Sequence, residues 1–386
     1  MPVLTPQAPR DASCDLPAAA RAAWERLDRT PGAALTVVVN DPQRGTATPR
    51  VLAALAATAG AGFRVLVACG SHRFDAAQRR GFEQRLAAAA DVAEIAWHDA
   101  TGDGIIDIGG LWRGHPWLGD GPLLGVGSVE PHYFAGFTGA HKTLTIGVAG
   151  RDDIERNHAA ALSPLLRPAR LERNPIHEGV VAMLRRLKAA RRVAAVNLVQ
   201  AGDRILAAAG GEPLAALQEA SGPARATFVR SIPRRADALI AEVAAPLGRS
   251  FYQADKGIKN NEWAVRDRGA LVLVADCDEG VGQADFLDAL RRAPTYAESR
   301  RLVRRRGYRL GDHKAVRLRY LTDPSCRGVD VYVVASGLDA DDAAVLGVTP
   351  AGSVEAALVA AGVAPSCADV YRVADAGNVC VTVGGD

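Results

Sequence analysis

His132, Lys142 and His158 lie in one glycine-broken stretch, EPHYFAGFTGAHKTLTIGVAGRDDIERNH. Two imidazoles and an amine in a single loop system can supply an acid/base, a covalent anchor and a metal ligand. Each also has an ordinary reading, as a histidine satisfied by its neighbours or, for His141-Lys142, as a surface pair. Upstream, DPQR and GSHR each follow a short apolar run, which places Asp41, Arg44 and His72 at strand ends. Asp41 and Arg44 can close a loop ion pair or face a ligand, whereas His72 sits where parallel sheets build their sites. Far along the chain, FYQADK carries Tyr252, Gln253 and Lys256. A helix would put Gln253 and Lys256 on one face, and the plainer reading of that segment is a solvated helix start.

These side chains need a frame. Apolar runs at 35–40 (LTVVVN), 63–69 (FRVLVAC), 92–97 (VAEIAW), 123–129 (LLGVGSV) and 193–199 (VAAVNLV) are interleaved with helical segments. One helix is opened by Thr48-Pro49 and another spans about 75–90. Fully apolar strands between helices predict a parallel sheet covered on both faces. Runs at 238–243, 270–275, 329–335 and 379–383 predict strands of a second half. The change from polar to apolar at Pro233-Arg234-Arg235 marks a boundary. The chain therefore reads as α/β with two domains, 1–233 and 234–386, each with a largely parallel sheet flanked by helices. DCDEGVG, after a strand, offers backbone N–H groups to a phosphate, though glycine turns are common. The Arg-rich stretch 300–319 reads as a solvated helical face.

With 386 residues, 48% hydrophobic and 23% charged, the chain is long enough for two cores and too apolar for disorder. A net charge of +3 points neither to nucleic acid nor to an anionic membrane. The sequence shows no spanning run of apolar residues and no secretory leader, so a cytoplasmic protein is expected. Six cysteines without a CxxC predict reduced, mostly buried thiols rather than a disulfide framework or a zinc site.

The motifs DPQR, GSHR, PHYFAGFTGAHK, RNH and YQADK, in this order across roughly 35–282, resemble the lactate racemase family that uses the nickel-pincer nucleotide. That cofactor is pyridinium-3,5-bisthiocarboxylic acid mononucleotide nickel. The resemblance implies that Lys142 tethers it through a thioamide and that His158 completes the nickel coordination. It implies that His72 and His132 are the acid/base pair and that Asp41 and Arg44 lie beside the catalytic histidine and the substrate carboxylate. Tyr252, Gln253 and Lys256 would close over the substrate from the second domain, putting the active site in the interdomain cleft. The implied activity is racemisation or epimerisation of a lactate-like 2-hydroxy acid by reversible hydride transfer. Imidazole, with an ordinary pKa of about 6.5, suits removal of the hydroxyl proton, and one on each side serves two enantiomers. The implied partners are the small-molecule 2-hydroxy acid and the enzymes that build the cofactor, with no nucleic acid and no membrane. By that resemblance the sulfur ligands would come from the cofactor, in keeping with the unpaired cysteines.

The sequence departs from the family pattern at Ala140-His141 before the lysine and at Thr145-Ile146-Gly147 after it, where proline is absent. Two other readings stay open. His132, His141 and His158 with Asp152 or Asp153 can form a divalent-metal hydrolase that activates water, and the chain can be a catalytically degenerate ligand-binding homologue.

Overall fold

The strand Thr36–Asn40 (TVVVN) is shielded on both faces, with Thr36, Val37, Val38 and Val39 at 0% exposure. β-Branched side chains suit such a position because they pack well on a pleated surface. A computed structural model of the chain describes residues 1–9, 14–27, 34–59, 62–364, 366 and 368–384. In it this strand lies inside a six-stranded sheet ordered Arg204–Gly211, Val193–Ala201, Leu123–Ser128, Thr36–Asn40, Phe63–Ala68, Val92–Trp97. All neighbours run parallel except the first two, which form a hairpin.

The second sheet is parallel throughout, in the order Val3–Leu4, Val370–Val373, Ala236–Glu242, Val265–Val274, Asp330–Val334, Thr349–Pro350. Two α/β units with largely parallel sheets are therefore present. Val3–Leu4, near the start of the chain, belongs to the second sheet. Cys380–Val383 does not join either large sheet. It pairs in parallel with Val229–Ile232, where the chain passes from one unit to the other.

The Arg-rich stretch corrects its sequence reading. Tyr296–Arg306 is mostly exposed, but in Asp312–Thr322 the basic residues His313, Lys314, Arg317 and Arg319 are all buried. Burial is tolerated because the terminal nitrogens of both guanidiniums find acceptors, although Arg317 Nε is left without one. Arg319 donates to Leu290 and Ala293 O and to Val345 and Leu346 O, the open carbonyls at the ends of two helices. Arg317 donates to Glu262 at 2.6 Å and also to Tyr133 O and Leu166 O, so it spans both units. Burial alone would raise the Glu262 carboxyl, but Lys259 and Arg317 outweigh it and hold its pKa low.

Cys69, Cys277 and Cys380 are buried thiols, Cys14 is exposed, Cys326 is half-buried, and Cys367 lies outside the described residues. No helix among the described residues is long and apolar enough to cross a membrane.

One close approach fixes the site's floor. The short helix Ala140–Thr143 lies on the strand Leu123–Ser128 because Gly125 and Gly127 present no side chain there. A Cβ on Gly127 would stand 2.4 Å from Ala140 N, and one on Gly125 would stand 2.6 Å from Leu144 Cγ. Gly127→Ala is therefore expected to destabilise the protein by about 1–3 kcal/mol through overpacking. Thermal unfolding of the variant checks this, and an unchanged midpoint would show that the helix can shift freely.

Candidate active site

Asp41 follows the strand Thr36–Asn40 and caps the 3-10 turn Pro42–Arg44, accepting Gln43 N–H on Oδ1 at 2.9 Å. Its other oxygen, Oδ2, meets His72 Nδ1 at 2.9 Å. His72 arrives from the next strand through a tight turn in which Gly70 adopts φ +53° and its N–H donates to Gly147 O. The buried carboxylate therefore fixes the imidazole with Nδ1 turned inward and Nε2 left for another partner. DPQR and GSHR are two halves of one hydrogen-bonded unit.

His132 sits on the short hairpin Pro131–His132 with Gly136–Phe137. Ala135 N–H donates to its Nδ1 at 3.4 Å, Phe134 packs edge-on at 4.4 Å, and Tyr133 stacks at 5.1 Å. Burial, then the charges of Lys142 and Lys256, hold its pKa well below the ordinary histidine value.

Lys142 projects from Ala140–Thr143, whose first N–H is capped by Asn197 Oδ1 at 2.8 Å and whose Thr143 hydroxyl donates to Asn40 Oδ1 at 2.7 Å. The Lys142 amine lies 5.6 Å from the Phe134 ring and has no hydrogen-bond or ion-pair partner among the described residues. Burial, then Arg44 and Lys256, push its pKa well below the usual lysine range. The loop after it is closed by the Thr145 hydroxyl on His141 O, at 2.7 Å, so the absent proline leaves a buried, bonded segment. His158, at the end of Arg151–His158, holds Nδ1 near Asn157 Oδ1 at 3.2 Å. Its pKa is pushed down to about 3 by burial, then by Lys142.

From the second unit, Phe251–Asn261 brings Tyr252, Gln253 and Lys256 to the same place. All nine sequence-selected residues, Asp41, Arg44, His72, His132, Lys142, His158, Tyr252, Gln253 and Lys256, line one cleft with a cavity volume of about 180 Å³. The segment read as a solvated helix start is thus largely buried. Burial pushes Lys256 down to about 8, with Glu130 opposing, and does the same to Lys314, opposed by Asp255.

Other expectations are not met. His141 is absent from the cleft and packs against His177 at 5.5 Å, while Asp153 pairs with Arg156 and accepts Arg113 N–H. No three His, Cys, Asp or Glu side chains among the described residues are placed to hold a metal ion together. The hydrolase grouping is therefore not assembled. In DCDEGVG, the Cys277, Glu279 and Gly280 N–H groups are bonded to Gly248, Arg249 and Cys277 carbonyls, so they are not open to a phosphate. Sequence reasoning missed His313 and Lys314, which line the cleft from Asp312–Thr322. Their only signal was a histidine and a lysine after Gly311-Asp312, hidden in an Arg-rich run.

Two family models match the chain, the lactate racemase N-terminal domain over residues 21–167 and the lactate racemase C-terminal domain over 233–309. The chain belongs to the lactate racemase family. It is 30% identical over 241 residues to a lactate racemase of Thermoanaerobacterium thermosaccharolyticum, covering 58% of this chain and 54% of that protein. It is 28% identical over 256 residues to one of Lactiplantibacillus plantarum, covering 62% of this chain and 58% of that protein. The matched stretches thus span a little over half the length of these relatives. The structure of the T. thermosaccharolyticum lactate racemase apoprotein superposes with a TM-score of 0.81 at 21% identity, over 99% of this chain and 95% of that one. A Thermotoga maritima protein superposes at 0.74 and 15% identity, over 95% of this chain and 97% of that one. Both share the fold.

A family site with this charge should favour carboxylates while its lysines hold their protons. Oxalate binding is expected to weaken as pH rises through about 8, by about tenfold between pH 7 and 9 for each lysine the ligand needs. Calorimetric titration across that range checks the expectation, and a flat profile would contradict it.

Proposed function

We propose that this chain is a racemase or epimerase of a lactate-like 2-hydroxy acid, working with a nickel-pincer nucleotide tethered to Lys142. The observation that carries the reading is convergence. Lys142, His158, two further histidines and an unpaired arginine, from four separated motifs, meet with residues of a fifth motif in the second unit in one cleft.

The residues fit such a group. Forming a thioamide requires a neutral amine, and the Lys142 amine has no ion-pair partner among the described residues and is shifted towards its neutral form by burial, against the opposing pull of Glu130. A nickel ligand must be an unprotonated imidazole, and His158 is kept neutral, with Nδ1 beside Asn157 and Nε2 available. When bound, the cofactor supplies a hydride acceptor next to the substrate.

The chain's own groups do the rest. The Arg44 guanidinium has no hydrogen-bond or ion-pair partner among the described residues, so it can take a carboxylate through two parallel bonds and fix its rotation. Lys256 adds charge beside it. His72, with Nδ1 held by Asp41, presents Nε2 to accept the substrate hydroxyl proton. His132 offers a second imidazole in the same cleft, so either enantiomer can find a base. Tyr252 and Gln253 line the cleft from the second unit and would help to limit water around the substrate. A cytoplasmic location fits the five free thiols and the need for enzymes that assemble the cofactor.

The test is to produce the chain together with those enzymes, then measure intact mass, nickel and turnover of 2-hydroxy acid enantiomers. An adduct on the Lys142 peptide with bound nickel is expected, and Lys142→Ala should abolish it. His72→Ala and His132→Ala should keep the adduct and lose about 10²–10⁴-fold in kcat. An unmodified chain, or full turnover in either histidine variant, overturns the assignment.

A further inference from the structure

His313 is the histidine of the cleft that the proposed chemistry leaves unused. Both of its ring nitrogens are engaged. Nδ1 meets the Tyr308 hydroxyl at 2.7 Å and Nε2 meets the Tyr133 hydroxyl at 3.1 Å. One nitrogen of a neutral imidazole donates and the other accepts, and two hydroxyls can satisfy either tautomer. A ring so occupied is free neither to ligate a metal nor to accept a substrate proton.

What it holds is Tyr133, from the other unit. The same helix grips that residue elsewhere too. Arg317 donates to Tyr133 O at 3.3 Å with its guanidinium 5.2 Å from the ring, and the Lys314 amine lies 6.0 Å from the same ring. Tyr133 in turn lies flat on His132, with centroids 5.1 Å apart and planes 12° from parallel. The base of this clasp is rigid. Asp312 accepts both Arg306 terminal nitrogens, at 2.8 and 2.7 Å, and Arg309 N–H at 2.7 Å, which fixes the loop that carries Tyr308.

We propose that His313 is a positioning residue that, through the Tyr133 hydroxyl, makes the placement of His132 depend on the docking of the second unit. It rests on the reading of His132 as an acid/base. With the ring displaced, a reacting distance changes while the carboxylate clamp, Arg44, does not, so kcat falls and KM holds. A misplacement of about 1 Å is enough for up to about 100-fold.

The experiment uses His313→Phe, His313→Gln, Tyr133→Phe and the double variant His313→Phe/Tyr133→Phe. In the loaded enzyme, His313→Phe should lower kcat at least about tenfold with KM within about twofold. His313→Gln, which keeps a donor and an acceptor, should recover part of the loss. The double variant should be no worse than the worse single one, as for two residues acting through one contact. In the cofactor-free protein, hydrogen exchange of the peptide containing residues 130–139 should rise in His313→Phe and Tyr133→Phe alike. Unchanged kcat in His313→Phe, losses that multiply in the double variant, or a rise in KM alone would overturn the proposal. Should His313→Phe fail to fold, Tyr133→Phe carries the same comparison by removing only the hydroxyl. A wild-type chain that loads cofactor but turns over no 2-hydroxy acid would instead sink the assigned reaction, with the exchange data still judging the clasp.

Discussion

Arg44, Lys142, Lys256 and Lys314 share one largely buried cleft, and that crowding of like charge governs what the site can be. Removing an ammonium from water is costly unless an acid stands beside it, and the nearby acids are few. Lys314 has Asp255 at 3.8 Å, and Lys256 feels Glu130, but Arg44 and Lys142 have no acid within ion-pairing distance among the described residues. The protein relieves the strain in the only ways open to it, by letting amines give up protons and by leaving room for an anion. Folded Lys256 and Lys314 titrate near 8, whereas an unfolded lysine does so near ~10.4. Between those values only the unfolded chain holds the proton, so the stability owed to these groups rises with pH across that window and is diminished at neutrality. A site arranged this way favours ligand capture over the stability of the empty protein.

The two units contribute differently to that cleft. The first provides the fixed pieces on strand ends, locked by short bonds such as Asp41 to His72 and Thr143 to Asn40. The second provides polar groups that reach across, with Arg317 of the helix Asp312–Thr322 bonded to two carbonyls of the first unit and the backbone N–H of Leu310, in the loop before that helix, donating to Glu155 at 3.1 Å. Docking thus joins polar groups that would otherwise be left unpaired inside the protein, which makes the arrangement specific as well as tight.

How much of this was legible in the sequence follows from how local each signal is. Strands such as TVVVN announce themselves because both faces are apolar, and DPQR and GSHR lie directly after such runs. All nine residues named from the ordered motifs line the cleft. Asp312–Thr322 was misread because its hydrophobic periodicity is masked by cations, and nothing in the sequence says that the partners of Arg317 and Arg319 are carbonyls far away in the chain. The bond from Asp41 to His72 is made between two loops, so no local pattern shows it, and only the family resemblance placed Asp41 beside a catalytic histidine. Val3–Leu4 is too short to carry a pattern, and Val370–Val373, read Val-Tyr-Arg-Val, has only its two ends apolar and buried, so it shows neither an apolar run nor an alternation.

Val3–Leu4 also bears on the order in which the molecule can assemble. Its partner is Val370–Val373, with Val3 opposite Arg372 and Leu4 opposite Val373, and Val229–Ile232 likewise waits for Cys380–Val383. During synthesis the first six-stranded sheet can form while the ribosome is still far from those segments, but two earlier pieces of chain must idle until the late ones emerge. Closing such long loops is slow relative to local pairing. The pairings that tie these two early segments into the second half of the chain are therefore made last, one of them between strands almost a whole chain apart.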